Sequence, residues 1–400
     1  MGSRVAILGG GLVGLVAALA FSRLGWRVRL IEERPMNLQH VGALDARGIA
    51  LSLSSIHILQ SLGFDPCDVP GGADIRQIHV SSSGRFGLTR LSASQLGVER
   101  MGRVVEYSRL NLGLLEKVCS EPAVEVLAGA RFTHLQQDDQ SVAVDIEIDD
   151  QSRQCHANNL LLVADGGHSS IAGQLGIGAT RFDYRQAALA ATIEVERPQP
   201  GRAYERFTPH GPLAMLPLEG QRYALIWTAD HARIGLLESL SDDAFLAELQ
   251  AAFGFRLGYL SAVGRRDRFN LGLTRADSLV AGRCLLVGNA ANALHPVAGQ
   301  GFNLALRDLG ELFDLLSEPG ESVIAQMLEA YPVRRKPDHD RTIALGHGLV
   351  QLFSTDRALQ QHVASLGLSL LDLCPPAKQA FAWQAMGFGN AANSLMRGSV

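Results

Sequence analysis

The pattern of apolar positions changes twice near the N-terminus. Residues 5–8 form a continuous apolar run, residues 12–24 are largely apolar over a longer stretch, and residues 28–32 form a second short run that ends in Glu32. Short apolar runs predict buried strands, and the longer segment between them predicts a helix. The pattern therefore predicts a βαβ unit whose second strand ends in an acid.

The predicted turn between the first strand and the helix has the sequence GGGLVG. Gly9 permits the tight turn, Gly11 lets the backbone approach a pyrophosphate, and Gly14 lets the helix pack on the strand. Glu32 can accept a hydrogen bond from a ribose hydroxyl. This glycine spacing alone is weak evidence, but the strand, helix and acid all stand where the motif requires them. We therefore predict that this unit binds the ADP part of a dinucleotide.

A second glycine-rich segment lies far along the chain, and its sequence is HPVAGQGFN. Pro296, Gly299 and Gly301 lie in a loop that leads into a predicted helix, so backbone N–H groups and the helix N-terminus converge there and favour an anion. A reduced flavin carries negative charge on its pyrimidine side, and Asn303 could hydrogen-bond that edge. The two glycine motifs together predict a single bound FAD.

His295 is the histidine of this second motif. It could relay a proton from a substrate or from the flavin. The alternative, a histidine that only satisfies backbone groups of the loop, is the more common situation.

Between residues 184 and 274 the pattern changes to long runs typical of strands. It predicts a separate antiparallel sheet with one covering helix that begins at Ser241. Residues 75–98 contain short strand-like runs, which predict an excursion of the chain into another domain. We predict an α/β fold with a Rossmann-like FAD-binding domain (residues 1–72, 100–180 and 275–335), an interleaved substrate domain (residues 73–99 and 181–274) and a helical C-terminal region (residues 336–400).

Composition argues against several classes of function. The formal net charge of −4 over 400 residues argues against nucleic-acid binding. Five cysteines without a C-x-x-C pair indicate neither a disulfide framework nor a zinc site, and they fit a reducing cytosol. The C-terminal region is rich in leucine and phenylalanine at helical spacing. These positions serve core packing or oligomerisation, or they dock on a membrane or on a partner complex.

Three stretches resemble the FAD-dependent aromatic hydroxylases with the para-hydroxybenzoate hydroxylase fold. They are GGGLVG with Glu32, ADGGHSS from Ala164, and LLVGNAANALHPVAGQGFNLALRD from Leu285. Within this group the chain is most similar to the ubiquinone-pathway branch, in particular to the 2-polyprenyl-6-methoxyphenol hydroxylases. The resemblance covers the chain as far as about Asp340.

The resemblance implies further site residues. Arg47 and Arg109 would flank the FAD, and Asp165 with Gly166 would form the Asp-Gly motif of the family. Asn289 stands where most relatives carry an aspartate. The other positions expected at the FAD are Pro296, Gly299, Gln300, Gly301, Phe302 and Asn303. We expect no metal site, and we place the apolar substrate pocket in the second sheet, at Phe207, Met215, Leu216 and Pro217.

The resemblance also implies a reaction. Reduced FAD would trap dioxygen as a C4a-hydroperoxide and transfer one oxygen atom to the ring of a prenylated phenol. NAD(P)H would bind transiently as the reductant, because the sequence carries no second dinucleotide motif. A flavin oxidoreductase that inserts no oxygen and a non-catalytic flavoprotein scaffold remain the alternatives. A lipophilic phenol suggests a cytoplasmic protein at the inner membrane surface.

Overall fold

The computed structural model describes residues 3–36, 47–84, 87–148, 151–167, 170–294, 299–318, 320–353, 367, 370–389 and 392–398. The helices in these ranges are α1 (Leu12–Arg23), α2 (Leu53–Ser61), α3 (Tyr107–Cys119), α4 (Ser170–Gln174), α5 (His231–Ser239), α6 (Asp242–Phe253), α7 (Gln300–Leu315), α8 (Glu321–Phe353), α9 (Pro375–Ala385) and α10 (Ser394–Arg397). The strands are β1 (Arg4–Leu8), β2 (Arg27–Glu32), β3 (Gly48–Ser52), β4 (Ala73–Ile75), β5 (Gln77–Ser82), β6 (Leu88–Ser92), β7 (Gly102–Glu106), β8 (Val124–Ala128), β9 (Arg131–Gln137), β10 (Val142–Ile148), β11 (Gln151–Asn158), β12 (Leu160–Val163), β13 (Ala179–Val195), β14 (Arg202–Thr208), β15 (Gly211–Pro217), β16 (Arg222–Asp230), β17 (Leu260–Val263), β18 (Asp267–Ala276), β19 (Val280–Ala281), β20 (Cys284–Leu286) and β21 (Asn292–Ala293).

The first domain is built on a six-stranded sheet in the order β19-β20-β12-β1-β2-β8. Five of these strands are parallel, and β19 pairs antiparallel at the edge. Strands β1 and β12 are apolar along almost their whole length because elements cover both faces of the sheet. The carboxyl ends of β1, β2, β12 and β20 therefore meet along one edge, where ligands bind in folds of this kind.

The second domain is a mainly antiparallel nine-stranded sheet. Strands β5 and β6 precede β7 and β8 in the chain, yet they belong to this sheet, where β5 pairs with β14 and β6 pairs with β5. The prediction of an antiparallel sheet interleaved with a Rossmann-like domain is thus confirmed. Strands β3, β7 and β4 form a separate small antiparallel sheet in that order.

The second sheet has two different faces. Leu189, Ala191 and Ile193 of β13 pack with Trp227 and Phe245 in a core that α5 and α6 cover. The intervening residues of β13 point to the opposite face, because side chains alternate along a strand. Ser241 is the N-cap of α6, as the sequence predicted, and its hydroxyl accepts a hydrogen bond from the Ala244 N–H.

The C-terminal region is helical, as predicted, and a buried ionic network fastens α8 to α7. Arg307 of α7 donates to Asp338 at 2.8 Å, and Arg335 of α8 donates to Asp308 at 2.5 Å. Burial alone would raise the pKa of the Asp338 carboxyl, but the neighbouring guanidinium groups of Arg307 and Arg335 lower it to about 2. Each buried charge therefore has a partner.

Candidate cofactor and substrate site

A cavity of about 1580 Å³ lies between the two domains. It exceeds the roughly 300–1,000 Å³ typical of a single small-molecule pocket, so a long ligand or two ligands side by side fit its size. We call the lining contributed by the first domain the nucleotide wall. The sheet wall consists of the lining residues from the second sheet, which are Ala188, Ala190, Ile226, Phe269 and Leu271.

The first glycine loop forms one end of the nucleotide wall, between β1 and α1. A Cβ atom on Gly14 would lie 1.8 Å from the carbonyl oxygen of Gly9, so this glycine permits the close approach of helix and loop. A Cβ atom on Gly11 would meet no protein atom within 4 Å. Gly11 lines the cavity directly before the N-terminus of α1. The loop thus leaves room for a phosphate group at the positive end of a helix.

Glu32 lies at the carboxyl end of β2 and lines the same part of the cavity. One carboxylate oxygen accepts a hydrogen bond from the Gly10 N–H at 2.6 Å, and the other accepts one from the Arg34 N–H at 2.9 Å. Each oxygen retains a free lone pair. The carboxylate is therefore held in place and can still accept a ribose hydroxyl.

The predicted residues from the neighbouring strands lie along the cavity as well. Asp165 and Gly166 follow β12, and Asn289 follows β20 in a short 3₁₀ turn. All three line the cavity, and a Cβ atom on Gly166 would meet no protein atom. The parallel sheet brings these residues together because β12 and β20 end at the same edge.

Helix α7 presents its N-terminus to the other end of the nucleotide wall. Gly299 precedes it in the left-handed conformation (φ 61°), and Gly299, Gly301 and Phe302 line the cavity. A Cβ atom on Gly301 would point into open space. The helix start therefore offers free backbone N–H groups to an anion. His295 and Pro296 lie outside the described residues, and their roles stay predictions.

Asn303 does not lie where the sequence predicted, because its side chain is fully used inside the protein. Its amide nitrogen donates to the carbonyls of Ala50 and Gly299, and its oxygen accepts from the Ser52 N–H and the Ser55 hydroxyl. An asparagine side chain has two donors and two acceptor lone pairs, so nothing remains for a flavin. The side chain instead fixes the start of α7 against β3 and α2.

Gln300 also lies apart from the cavity lining. Its side-chain amide donates to the carbonyl of Ala385 at 3.5 Å, a contact that ties the first turn of α7 to the end of α9. Gln300 is among the described residues, but it does not line the cavity. Its backbone remains part of the helix start described above.

The two predicted arginines lie in different places. Arg47 lines the cavity, and its guanidinium carbon lies 4.1 Å from the ring centre of Tyr107 and 5.1 Å from that of Phe269. Arg109 instead donates to Glu106 at 2.6 Å and lies outside the lining. Helix α3 explains the difference, because Arg109 is on a side of the helix that does not face the cavity.

The face of α3 that borders the cavity was not predicted. It carries Ser108, Asn111, Leu112 and Leu115, which have the i, i+3, i+4, i+7 spacing of one helical face. That spacing is visible in the sequence. The spacing could have shown that these four residues share one face of α3, but it could not have shown that this face borders the cavity.

The four predicted substrate residues divide between the two faces of the second sheet. Met215 packs in the helix-covered core, and Pro217 has the same parity on β15, so both point away from the cavity and do not belong to its wall. Leu216 and Phe207 point to the cavity face, but they lie beyond the residues that line it. The observed sheet wall is the one defined above, on β13, β16 and β18.

The residues of the nucleotide wall fit a bound FAD. Gly11, Gly166 and Gly301 leave open space where any larger side chain would project, and two helix N-termini border the same cavity. Such a site suits the diphosphate and the pyrimidine edge of the flavin, which supplies redox chemistry when bound. Among the described residues, no group of three or more His, Cys, Asp or Glu side chains could hold a metal ion.

Comparison with known proteins gives the family. The family model described as "FAD binding domain" matches residues 3–344. The ubiquinone hydroxylase UbiL of Rhodospirillum rubrum is 35% identical over 98% of this chain and 92% of its own length. The 3-demethoxyubiquinol 3-hydroxylase of Escherichia coli is 29% identical over 84% of this chain and 86% of its own length.

A solved structure agrees on the fold. The p-nitrophenol 4-monooxygenase PnpA of Pseudomonas putida DLL-E4 superposes with a TM-score of 0.80 at 16% identity, over 97% of this chain and 98% of that one. At this identity the likeness concerns architecture alone. The family match covers most of the chain, however, and its glycine loops and open cavity are those that the cofactor needs. The protein therefore belongs to the FAD-binding-domain family and is an FAD-dependent aromatic hydroxylase.

Proposed function

We propose that this protein hydroxylates the ring of a prenylated (methoxy)phenol in ubiquinone biosynthesis. The observation that carries the proposal is the meeting of the nucleotide wall and the apolar sheet wall in a single cavity. The named relatives act in the same chemistry, one as a ubiquinone hydroxylase and one as a demethoxyubiquinol hydroxylase. The second ligand of the cavity is then the phenol.

The sheet wall suits an aromatic ring with an apolar tail. Ala188 and Ala190 are small, and they lie beside Ile226, Phe269 and Leu271. Small and branched apolar side chains leave a flat space that excludes water. Exclusion of water protects a reactive oxygen donor, and a fixed ring orientation selects the carbon that is hydroxylated.

The reaction needs two electrons and dioxygen. We propose NAD(P)H as the electron donor, bound transiently at the cavity, and O₂ as the co-substrate. Overall, a ring C–H, O₂, NAD(P)H and a proton give a ring C–OH, water and NAD(P)⁺.

We further propose that the C-terminal region docks on a membrane surface, where a prenylated phenol resides. Leu370 is 64% exposed, Leu373 is 79% exposed, and Trp383 of α9 is 37% exposed. None of the described helices is long and apolar enough to cross a bilayer. Exposed leucines and an exposed tryptophan in one region suit insertion at the interface instead.

Liposome flotation tests this docking. The full chain is floated with vesicles of phosphatidylethanolamine and phosphatidylglycerol, and we expect the double variant Leu370→Ser/Leu373→Ser to float much less. Phe255→Ser, which removes a 63% exposed phenylalanine from the second domain, is the matched control and should float like the unaltered chain. If the unaltered chain itself stays at the bottom, the docking proposal is wrong.

The first experiment on the reaction is mass spectrometry of quinone-pathway lipids from cells with and without the gene, grown in air. We expect a prenylated phenol that lacks one oxygen to accumulate without the gene, and its structure identifies the ring position. Purified protein then gives the second readout. Turnover of the prenylated phenol that continues without oxygen would point to an oxidoreductase, whereas FAD that binds but is not reduced would point to a scaffold.

A further inference from the structure

We propose that an arginine-rich face of the second sheet docks the protein on the phosphate groups of an anionic phospholipid bilayer. The arginine face consists of Arg90 on β6, Arg202 and Arg206 on β14, and His79 on β5 between them. The inference deepens the membrane docking described under the proposed function and rests on it. That docking concerns exposed apolar residues alone, whereas the arginine face concerns the charge of the lipid headgroups.

The strand register places these four side chains on one face of the sheet. His79 pairs with Arg90 of β6 on one side and with Tyr204 of β14 on the other. Paired residues on neighbouring strands point to the same side. Arg202 and Arg206 lie two residues before and two residues after Tyr204, so they share its side as well. Three guanidinium groups therefore lie on the same side of three adjoining strands, around one imidazole.

The helices of the second domain do not cover this part of the sheet. Tyr204 packs edge-to-face on Phe253 at the end of α6, and His79 stacks on Tyr204 with the ring centres 5.5 Å apart. The core under α5 and α6 includes Tyr204 but no described residue of β5 or β6. Arg90 is exposed, and Arg202 is partly exposed. The arginine face is therefore open to solvent at the margin of the sheet.

The arginine side chains have neutral partners. Arg202 donates to the side-chain oxygen of Gln77 at 2.9 Å. Arg206 donates to the carbonyl of Ala252 at 2.8 Å and to the hydroxyl group of Ser83 at 3.2 Å. These bonds fix the direction of the guanidinium groups without removing their charge. Within the described ranges, none of the three arginines of this face forms an ion pair with an acid.

The positive charge of the face is therefore uncompensated. A fourth guanidinium, that of Arg256, lies nearby and donates to the carbonyl at the end of α6 at 2.7 Å. Burial lowers the pKa of His79 to about 4, and the charges of Arg256, Arg90, Arg202 and Arg206 add to this effect. His79 is neutral at pH 7 as a result. Like charges held together repel one another, so their accumulation on an open surface favours an anionic partner.

The exposed leucines of the C-terminal region adjoin the arginine face. One carboxylate oxygen of Asp372 accepts a hydrogen bond from the backbone N–H of Arg90 at 3.1 Å, at the edge strand β6. Leu370 and Leu373, which are 64% and 79% exposed, lie within two residues of this contact along the chain. The Asp372 carboxylate also pairs with Lys378 at 2.8 Å, so its charge already has a partner. Exposed leucines and unneutralised arginines thus share one margin of the second sheet.

An anionic bilayer matches this combination. Guanidinium groups bind phosphate oxygens through two parallel hydrogen bonds, and each basic residue near an anionic membrane strengthens binding about fivefold. Stable attachment to a bilayer generally needs two signals, and the leucines supply only one of them. The whole chain carries a formal net charge of −4, so its approach to an anionic surface depends on a local cluster of positive charge.

The arginine face is separate from the cavity. None of its three arginines lines the cavity, and the residues of β14 that share its side pair with Met215 and Leu213, on the helix-covered side of the sheet. The sheet wall lies on the opposite side. Substitutions on the arginine face should therefore leave the binding of FAD and the turnover of a water-soluble phenol unchanged.

The test is flotation of the FAD-loaded full chain with two kinds of vesicle. One contains phosphatidylethanolamine and phosphatidylglycerol, and in the other phosphatidylcholine replaces the phosphatidylglycerol. We expect the unaltered protein to float with the anionic vesicles and to be released by added sodium chloride. For Arg90→Gln/Arg202→Gln we expect the partition constant on anionic vesicles to fall about 30-fold, which is two factors of five. Arg206 is left in place because it is bonded to α6.

The matched control is Arg27→Gln/Arg181→Gln, which removes the same number of charges. Arg27 is an exposed residue of the first sheet, and Arg181 is an exposed residue of β13, five strands from β6. This control should float like the unaltered protein. Arg90→Lys/Arg202→Lys keeps both charges and should recover most of the binding, whereas a defect of folding would not be repaired by charge. Thermal unfolding and FAD content of every variant provide the check on folding.

The outcomes separate the proposals. If the unaltered protein floats with neither kind of vesicle, the membrane docking and the arginine face are both wrong. If it floats with anionic vesicles and Arg90→Gln/Arg202→Gln floats equally well, the arginine face is overturned while docking through the leucines stands. If inorganic phosphate releases the protein at constant ionic strength and chloride does not, the face binds free phosphate and the assignment to a bilayer is overturned. No readout uses turnover, so failure of the hydroxylation would leave the arginine face standing.

Discussion

The two walls of the cavity differ in whether backbone or side chains shape the ligand's space. The nucleotide wall includes stretches of bare backbone, at Gly11 and Gly301, where any side chain would project into the cavity. The sheet wall is made by side chains at alternate strand positions, such as Ala188 and Ala190. A backbone site needs glycine at fixed spacing, whereas a side-chain site tolerates many residue types. The first kind of wall therefore leaves a signature in the sequence and the second does not.

The sharpest test of the nucleotide wall compares two glycines of the first loop. Gly14→Val would place side-chain atoms against the carbonyl of Gly9, only 1.8 Å from the new Cβ, and we expect it to abolish FAD-loaded protein. Gly11→Ala meets no protein atom, so its fold should persist. We expect the FAD dissociation constant of Gly11→Ala to rise about 10–100-fold, corresponding to the roughly 1–3 kcal/mol of steric overpacking.

Flavin fluorescence and thermal unfolding of the apoproteins measure these two effects. Equal damage to the fold by both substitutions would contradict the distinction between a glycine that packs against protein and one that faces the ligand.

The sheet wall is tested by two adjacent residues on opposite faces. Met215 is fully buried in the helix-covered core, so Met215→Ala should lower the free energy of unfolding by about 2–5 kcal/mol and leave KM for the phenol unchanged. Leu216 points to the other face, is only partly buried and lies beyond the cavity lining, so Leu216→Ala should cost less stability. Urea unfolding and steady-state kinetics of the pair provide the measurements. If Leu216→Ala lowered the free energy of unfolding more than Met215→Ala does, the strand register would be wrong.

This pair also shows where prediction from sequence stopped. Met215 and Leu216 are both apolar, and nothing in their immediate sequence says which one faces helices α5 and α6. The βαβ unit was predictable because its period and its glycines are local. The role of Asn303 was not, because one of its partners, Ser52, lies 251 positions away. Local sequence patterns predict helices, strands and sites formed by backbone. The face of the sheet to which a side chain points depends on strands that are distant in sequence.

Two buried acids outside the cavity lining also differ in their pKa. In the ionic network between α7 and α8, Asp338 has a pKa of about 2, so the stability it gives is lost only as the pH falls below about 4. Glu205 of the second sheet has the opposite shift, from 4.5 to about 7, because burial disfavours its charge. The folded state then binds its proton more tightly than the unfolded chain does. Stability from this group is therefore full below about pH 4.5 and declines as the pH rises toward 7.

Glu205→Gln should remove that decline. The unaltered protein should lose on the order of 3 kcal/mol at most between pH 4.5 and pH 8 through this carboxyl group, whereas the variant does not titrate there. Urea unfolding at several pH values should show the variant matching the unaltered protein in acid and exceeding it above neutral pH. A difference that is constant with pH would mean that Glu205 is not desolvated in the folded protein.

The smallest expected effect comes from a substitution that changes only the shape of the sheet wall. Ala190 lies between Asp267 and Ile226 in the sheet, and its methyl group faces the cavity. Ala190→Val adds two methyl groups there, so KM for a prenylated phenol should rise about 10-fold, in line with the roughly 1–3 kcal/mol that a pocket methylene contributes. Affinity for FAD should not change, because the nucleotide wall is untouched. Ala191→Val, one residue along and on the helix-covered face, should instead lower stability and leave KM as it was. If both valines raise KM equally, the face of β13 that carries Ala190 does not bound the cavity. The sheet wall, which is the less certain of the two walls, would then be wrongly assigned.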